Sequence, residues 1–185
     1  VKTKIWKAFW DYEKEEKWLN EKVAKGFAMT AYSWCHYTFE NCVPGEYIYR
    51  IELLEHGINH PESRRYIQFM EENGVEHVDT YRTWVYFRKK ATDGGFQIYS
   101  DLDSRIKHYK RIADTWLVIG CAELCISFSP IGMFITALEN GSRYVITNAA
   151  IMILILSTAI MFLRLWWRYT KKIKLLKRNR TVQEQ

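Results

Sequence analysis

Glu123 is the one charged residue in the apolar run Thr115 to Leu138, and it stands between Cys121 and Cys125. Two thiols and a carboxylate are metal-ligand types. On an α-helix, however, neighbours are about 100° apart, so Cys121 and Cys125 share a face and Glu123 lies opposite. The three cannot converge on one ion. The Glu123 face instead reads Trp116, Gly120, Glu123, Ser127 and Pro130. Small residues let membrane helices approach closely, and polar ones hydrogen-bond across the contact. A charged, unpaired Glu at bilayer depth costs about 3 kcal/mol, so this one must be neutral or meet a polar group. A second apolar run, Tyr144 to Leu163, offers Ser157 and Thr158 at matching depth and Asn148 near the Pro130 level. Glu123, Ser127, Gly120 and Asn148 are therefore the intramembrane candidates, for packing and assembly or for an ion or proton site.

The remaining chemistry is sparse. The histidines are His36, His56, His60, His77 and His108, and none stands at a recognised metal spacing such as H-E-x-x-H. His56 and His60 are four apart, but Gly57 and Pro61 argue for a loop between them. Cys35 and His36 are adjacent on an expected strand and would point to opposite faces, which excludes a dyad. Arg64 and Arg65 follow Pro61 at an expected helix N-terminus, a place suited to an anion, although a solvated face with Glu–Arg pairs explains them as well. There is no nucleophile-elbow or phosphate-loop motif. No cofactor, no metal and no enzymatic activity are expected.

Charge divides the chain. Residues 1–103 carry 14 Lys/Arg and 17 Asp/Glu, a net of 14 − 17 = −3, and residues 104–185 carry 13 and 4, a net of 13 − 4 = +9. An acidic first part is poorly suited to a phosphate backbone, so nucleic acid is not an expected partner. Four cysteines without a C-x-x-C pair suggest free thiols in a reducing compartment. The charged opening "VKTKIWKAFWDYEKEEKW" lacks the pattern of a signal peptide.

Both apolar runs reach the ~20 residues that a helix needs to cross a bilayer. The link between them, "ENGSR", fits a tight hairpin, and Asn140-Gly141 is a turn signal. "RIKHYKR" precedes the first run and "RLWWRYTKKIKLLKRNR" follows the second, while the link holds only Arg143. The positive-inside rule then places both ends in the cytoplasm. The basic tail is expected to favour anionic lipid headgroups.

Upstream, strand and helix periodicities alternate. "TKIWKAFW" reads as a strand, Asp11 caps a helix ended by Gly26, and "FAMTAYSWCHYTF" reads as one long strand. "YIYRIELLE" is a strand, Pro61 opens a helix ended by Gly74, and "VEHVDTYRTWVYFRKK" is a further single strand. This order, β-α-β-β-α-β, predicts a ferredoxin-like α+β domain whose uncovered sheet face is rich in aromatic residues. The expected organisation is a cytoplasmic ferredoxin-like domain over 1–100 and a juxtamembrane helix over 101–112. Over 113–168 come two transmembrane helices (about 115–138 and 144–163), and over 169–185 a basic tail.

The blocks "EEKWLNEKVAKGFAMTAYSWCHYTFE", "PGEYIYRIELLE", "HPESRRYIQFMEENGVE", "WVYFRKK" and "FQIYSDLDSRIKHYKRI" resemble the bacterial family catalogued as domain of unknown function 2812. The resemblance covers about residues 4 to 112. It implies a soluble domain ahead of membrane spans and a genetic association with PadR-like transcriptional regulators, and it carries over no site residue. The expected function is a membrane-anchored sensing or protein-interaction module in the bacterial cytoplasmic membrane, working with a protein partner or as a homo-oligomer. The alternative is an oligomeric permeation or transport-accessory protein built on Glu123.

Overall fold

The computed structural model describes residues 2–99 and 101–183, and for 180–183 the backbone alone. The chain forms two units, Val1–Ser100 and Asp101–Gln185. The first is a mixed α+β unit with six strands in two sheets. Its elements are β1 (Thr3–Trp6), α1 (Tyr12–Ala24), β2 (Phe27–Ser33), β3 (His36–Asn41), β4 (Tyr47–Leu53), α2 (Pro61–Glu72), β5 (Glu76–Tyr81) and β6 (Trp84–Lys90). A single turn of 3₁₀ helix, Ala91–Asp93, follows.

The strand order is β1-β3-β2 in one sheet and β4-β6-β5 in the other, all antiparallel. The same β-α-β-β motif therefore occurs twice in succession. The registers coincide. Thr3 faces Phe39 and Trp6 faces His36, as Arg50 faces Phe87 and Leu53 faces Trp84. Met29 faces Phe39 and Ser33 faces His36, as His77 faces Phe87 and Tyr81 faces Trp84. The pairing shifts between Met29 and Ala31, and at the matching place between His77 and Asp79, which leaves one bulge residue in each hairpin. Gly26 (φ 82°) and Gly74 (φ 76°) stop the two helices at matching positions, where the left-handed backbone favours a residue without a Cβ. Trp18 meets Phe39 edge-on at 5.6 Å, and Tyr66 meets Phe87 edge-on at 6.2 Å.

This arrangement replaces the ferredoxin-like single sheet that the periodicity suggested. Each stretch read as one long strand is a hairpin. The turns are Trp34-Cys35 and Arg82-Thr83, with positive φ at Trp34 (28°), Cys35 (66°) and Arg82 (59°). Tight hairpins usually advertise themselves with Gly or Asn at such positions, and here neither occurs. Cys35 consequently sits in a turn and His36 opens β3, so the two do not share a strand.

Two cores form. Leu19, Val23, Met29, Tyr37, Phe39, Tyr49, Ile51 and Tyr86 make the first. Leu54, Ile67, Met70, Val75, Val85, Phe87 and Phe96 make the second. Strand β6 serves both, because alternate side chains point to opposite faces. Tyr86 enters the first core, and Val85 and Phe87 enter the second. On β3 the buried Tyr37 and Phe39 alternate with the less buried His36, Thr38 and Glu40. The outward face of β3 is thus polar.

The second unit is a helical hairpin of α3 (Leu102–Glu139) and α4 (Val145–Gln183). Residues 101–112 are no separate helix: Asp101 caps α3, and its first turns run on without a break. Asn140 and Gly141 make the turn.

Candidate functional site

Among the described residues of the α+β unit three carboxylates are buried: Asp11 caps α1, and Glu15 and Glu52 are each held by tyrosines. Glu15, on α1, is 7% exposed. Its Oε1 accepts hydrogen bonds from the Tyr37 and Tyr86 hydroxyls, each at 2.7 Å. One tyrosine comes from each half, and the ring of Tyr32 lies 4.8 Å from Tyr37 and 4.9 Å from Tyr86. Burial pushes the Glu15 carboxyl above its ordinary value, and the two tyrosine hydrogen bonds only partly oppose it. Burial and the neighbouring carboxylate push both tyrosines up as well. Glu52, on β4, is 4% exposed and accepts from the Tyr66 and Tyr99 hydroxyls. A carboxylate already bonded by two phenols and closed off from solvent is a clasp between elements. It presents no open face to a substrate.

Another acidic residue ties the halves together. Glu16 accepts from the Ile51 N–H at 3.0 Å and from Arg50 at 3.1 Å. One turn on, the Asn20 side chain donates to the Tyr49 carbonyl (3.1 Å) and accepts from the Tyr49 N–H (2.8 Å). Helix α1 therefore supplies β4 with the hydrogen bonds that a neighbouring strand would otherwise provide.

Arg64 and Arg65 are exposed on α2. Arg64 reaches Asn59 Oδ1 at 3.5 Å, and the helix N-terminus is occupied by His60, whose Nδ1 accepts from the Glu62 N–H. The loop before α2 also brings His56, His60 and Glu62 together. The spacing of four between His56 and His60 does not by itself imply a site, because a loop joins them, and it is the turn in that loop, closed by the His60 N–H to the Gly57 carbonyl (2.9 Å), that brings them together.

In the second unit the face Trp116, Gly120, Glu123, Ser127, Pro130 lies along the α3–α4 contact. Gly120, Ser127, Pro130 and Ala137 are buried on α3, as are Ala159, Phe162 and Tyr169 on α4. Steps of three and four residues define this seam, as in other antiparallel helix pairs. Trp116 stacks on Phe162 at 5.2 Å, and a Cβ on Gly120 would come within 3.1 Å of Leu163, so glycine sets the closeness of the helices. The polar groups proposed for Glu123 are turned inward on their own helices. Ser127 donates to Leu124 O, Ser157 to Leu154 O, and Thr158 to Leu154 O and Ile155 O. Glu123 Oε2 is buried and has no hydrogen-bond partner among the described residues. Asn148 crosses the seam to the Met133 carbonyl at 3.3 Å and lines a groove of about 810 Å³ near the turn, with Phe128, Gly132 and Thr136.

Both helices are long and apolar enough to cross a membrane, and only 11% of the most apolar window of each is buried. A core helix of a soluble protein would be mostly buried. Here Val118, Ile126, Phe128, Ile146, Ile153 and Ile160 face outward.

No curated protein and no solved structure matches the chain. Residues 11–121, which take in most of the α+β unit and the first half of α3, match the family described as "Protein of unknown function (DUF2812)", and the chain belongs to that family.

Proposed function

We propose that this chain is a membrane-anchored sensing or protein-interaction module. The observation that carries the reading is the contrast in surfaces. The hairpin turns its apolar side chains outward, where only lipid or another membrane helix satisfies them, while the α+β unit closes around cores of its own. In this reading the hairpin spans the bacterial cytoplasmic membrane with both ends in the cytoplasm, held by the basic residues before and after it and by anionic headgroups. The partner-facing surface is the end of the first sheet that carries Trp6 (68% exposed) and Trp34 (71% exposed) on adjoining segments. The Lys7 N–H to Cys35 carbonyl bond (2.8 Å) fixes the two segments. Tryptophan is enriched at binding hot spots. The family resemblance points to a PadR-like regulator as the kind of protein to look for.

The test is gentle co-purification of the full-length chain from its native membrane, with mass spectrometry. The reading expects one protein at stoichiometric yield, lost when Trp6 and Trp34 are both changed to Ser. Recovery of the chain alone, in both forms, would sink it.

A second reading, an oligomeric permeation or transport-accessory role, is favoured by one observation, the buried Glu123 Oε2 without a partner among the described residues. Polar groups inside membrane segments commonly mark ion or proton paths. Glu123→Gln should then abolish ion or proton flux in reconstituted vesicles. Unchanged flux would leave Glu123 a packing residue.

A further inference from the structure

We propose that His56, His60 and Glu62 form a binding site for a divalent transition-metal ion of the zinc class. Each offers one donor atom, and these atoms lie within 4.8 Å of one another. Donors held about 2.0–2.2 Å from a tetrahedral zinc ion are about 3.3–3.6 Å apart, so the widest pair has to close by about 1.2–1.5 Å, which rotation of exposed side chains supplies. Two pairs are already close. The imidazole rings of His56 and His60 lie 4.0 Å apart between centroids and are tilted by 30°. His56 Nε2 is 3.2 Å from Glu62 Oε2.

The backbone beneath these exposed side chains is well fixed. Buried Ser63 donates to the His56 carbonyl at 3.0 Å. The His60 N–H closes the turn onto Gly57, and Pro61 sets the first helical residue. Two imidazoles and one carboxylate suit zinc and its neighbours in the first transition row, and do not suit calcium or magnesium, which prefer all-oxygen shells. Three protein ligands at an exposed site leave at least one coordination position to water, so the bound ion is exchangeable.

Binding has a local consequence. His60 Nδ1 now accepts the Glu62 N–H at 3.3 Å and caps α2. A neutral imidazole has one lone pair. Metal on Nδ1 takes that lone pair directly, and metal on Nε2 leaves Nδ1 protonated. Either way the cap is exchanged for the ion, so loading the site alters the first turn of α2. The first half of the α+β unit has no counterpart: its helix is capped by Asp11, through a bond to the Glu13 N–H.

Equilibrium dialysis of the tag-free, full-length protein in detergent against Zn²⁺ tests the site. One zinc per chain is expected near neutral pH, released on acidification because protons compete for the imidazoles. His56→Ala should weaken binding at least about tenfold, as loss of even an outer-shell partner costs about 10–100-fold. His60→Asn should do the same, and it separates binding from folding because asparagine preserves the helix cap. His36→Ala, at an exposed histidine elsewhere, should bind as the wild type does. No stoichiometric zinc, or wild-type affinity in both His56→Ala and His60→Asn, overturns the proposal. So does an equal loss in His36→Ala.

Discussion

Lys4 faces Thr38 across the first sheet, and Ile51 faces Tyr86 at the matching place in the second. Lys4 is exposed and Ile51 is 3% exposed. The halves of the α+β unit share registers, bulges and helix stops, yet clothe them differently. Trp6 is in solvent where Leu53 is buried, Thr38 stands where Tyr86 enters a core, and Glu15 is buried where Ser63 is buried. Backbone pairing depends on turn geometry and on where a helix ends, and it tolerates almost any side chain that fits the pleat. Burial depends on what lies alongside. Strand β4 has α1 against its outer edge through Glu16 and Asn20, and the corresponding residues of α2, Arg64 and Gln68, bond to Asn59 and Glu72 instead.

The comparison predicts unequal effects at equal positions. Leu19 and Ile67 occupy the same site on the two helices, 0% and 8% exposed. Leu19→Ala should cost about 2–5 kcal/mol, and Ile67→Ala less, since its site opens toward solvent and the cavity can be relieved there. Urea unfolding of the full chain in detergent, followed by tryptophan fluorescence, measures both. A larger loss at Ile67 would mean that the second core, not the first, holds the unit together.

Next in size is the edge cap. Asn20→Ala leaves the Tyr49 N–H without its side-chain acceptor, while the Tyr49 carbonyl keeps Arg50 Nη1 at 3.0 Å, and should cost about 1–3 kcal/mol. Gln68→Ala, at the matching position, should stay within about 0.5 kcal/mol. Hydrogen exchange at Tyr49 is the sharper readout, because it should quicken in the first variant alone. Equal protection in both would show that water serves that edge as well as Asn20 does.

The helix stops should differ less. Gly26→Ala and Gly74→Ala both force a Cβ into left-handed backbone, at about 1–2 kcal/mol. The added Cβ at Gly26 would stand 3.2 Å from the Cys42 carbonyl oxygen, while at Gly74 it meets nothing within 4 Å. The first substitution should therefore be the costlier, and equal losses would show that the neighbouring loop yields.

Much of this was legible in the residues, and the gaps have physical causes. Helix starts and stops were readable, because Asp11, Pro61, Gly26 and Gly74 act locally. The seam of α3 was readable too, since a spacing of three and four fixes a helix face whatever packs on it. The hairpin turns were hidden, because Trp34, Cys35 and Arg82 adopt positive φ and none is a residue that normally signals it. With the turns missed, the repeat was missed. Along 12–40 and 60–88, an offset of 74 − 26 = 48, the identical pairs are Gly26/Gly74 and Phe39/Phe87. The partners of Glu123 were misjudged because depth alone does not decide where a hydroxyl points. Ser127, Ser157 and Thr158 are short enough to bond their own helix, and they do. Nor does periodicity reveal that a residue such as Asn20 substitutes for a strand.

The smallest expected effect concerns charge in the first core. Burial raises the Glu15 carboxyl above 4.5, against the opposing bonds from Tyr37 and Tyr86. As pH climbs through that value the unfolded chain ionises first, and the folded chain resists. The stability tied to Glu15 is therefore full below pH 4.5 and is lost as pH rises through the raised folded value. Glu16 acts in the same direction, with burial outweighing Arg50. Glu15→Gln keeps an acceptor oxygen for the two tyrosines and removes the titration. As pH rises above 4.5, the urea midpoint of the wild type should decline relative to that of Glu15→Gln. A steeper fall in the variant would mean that the tyrosine bonds favour the charged carboxylate more than burial opposes it. Ser63 cannot titrate at the matching position, so the pH sensitivity due to Glu15 belongs to the first half, where a tyrosine from each half closes on one carboxylate.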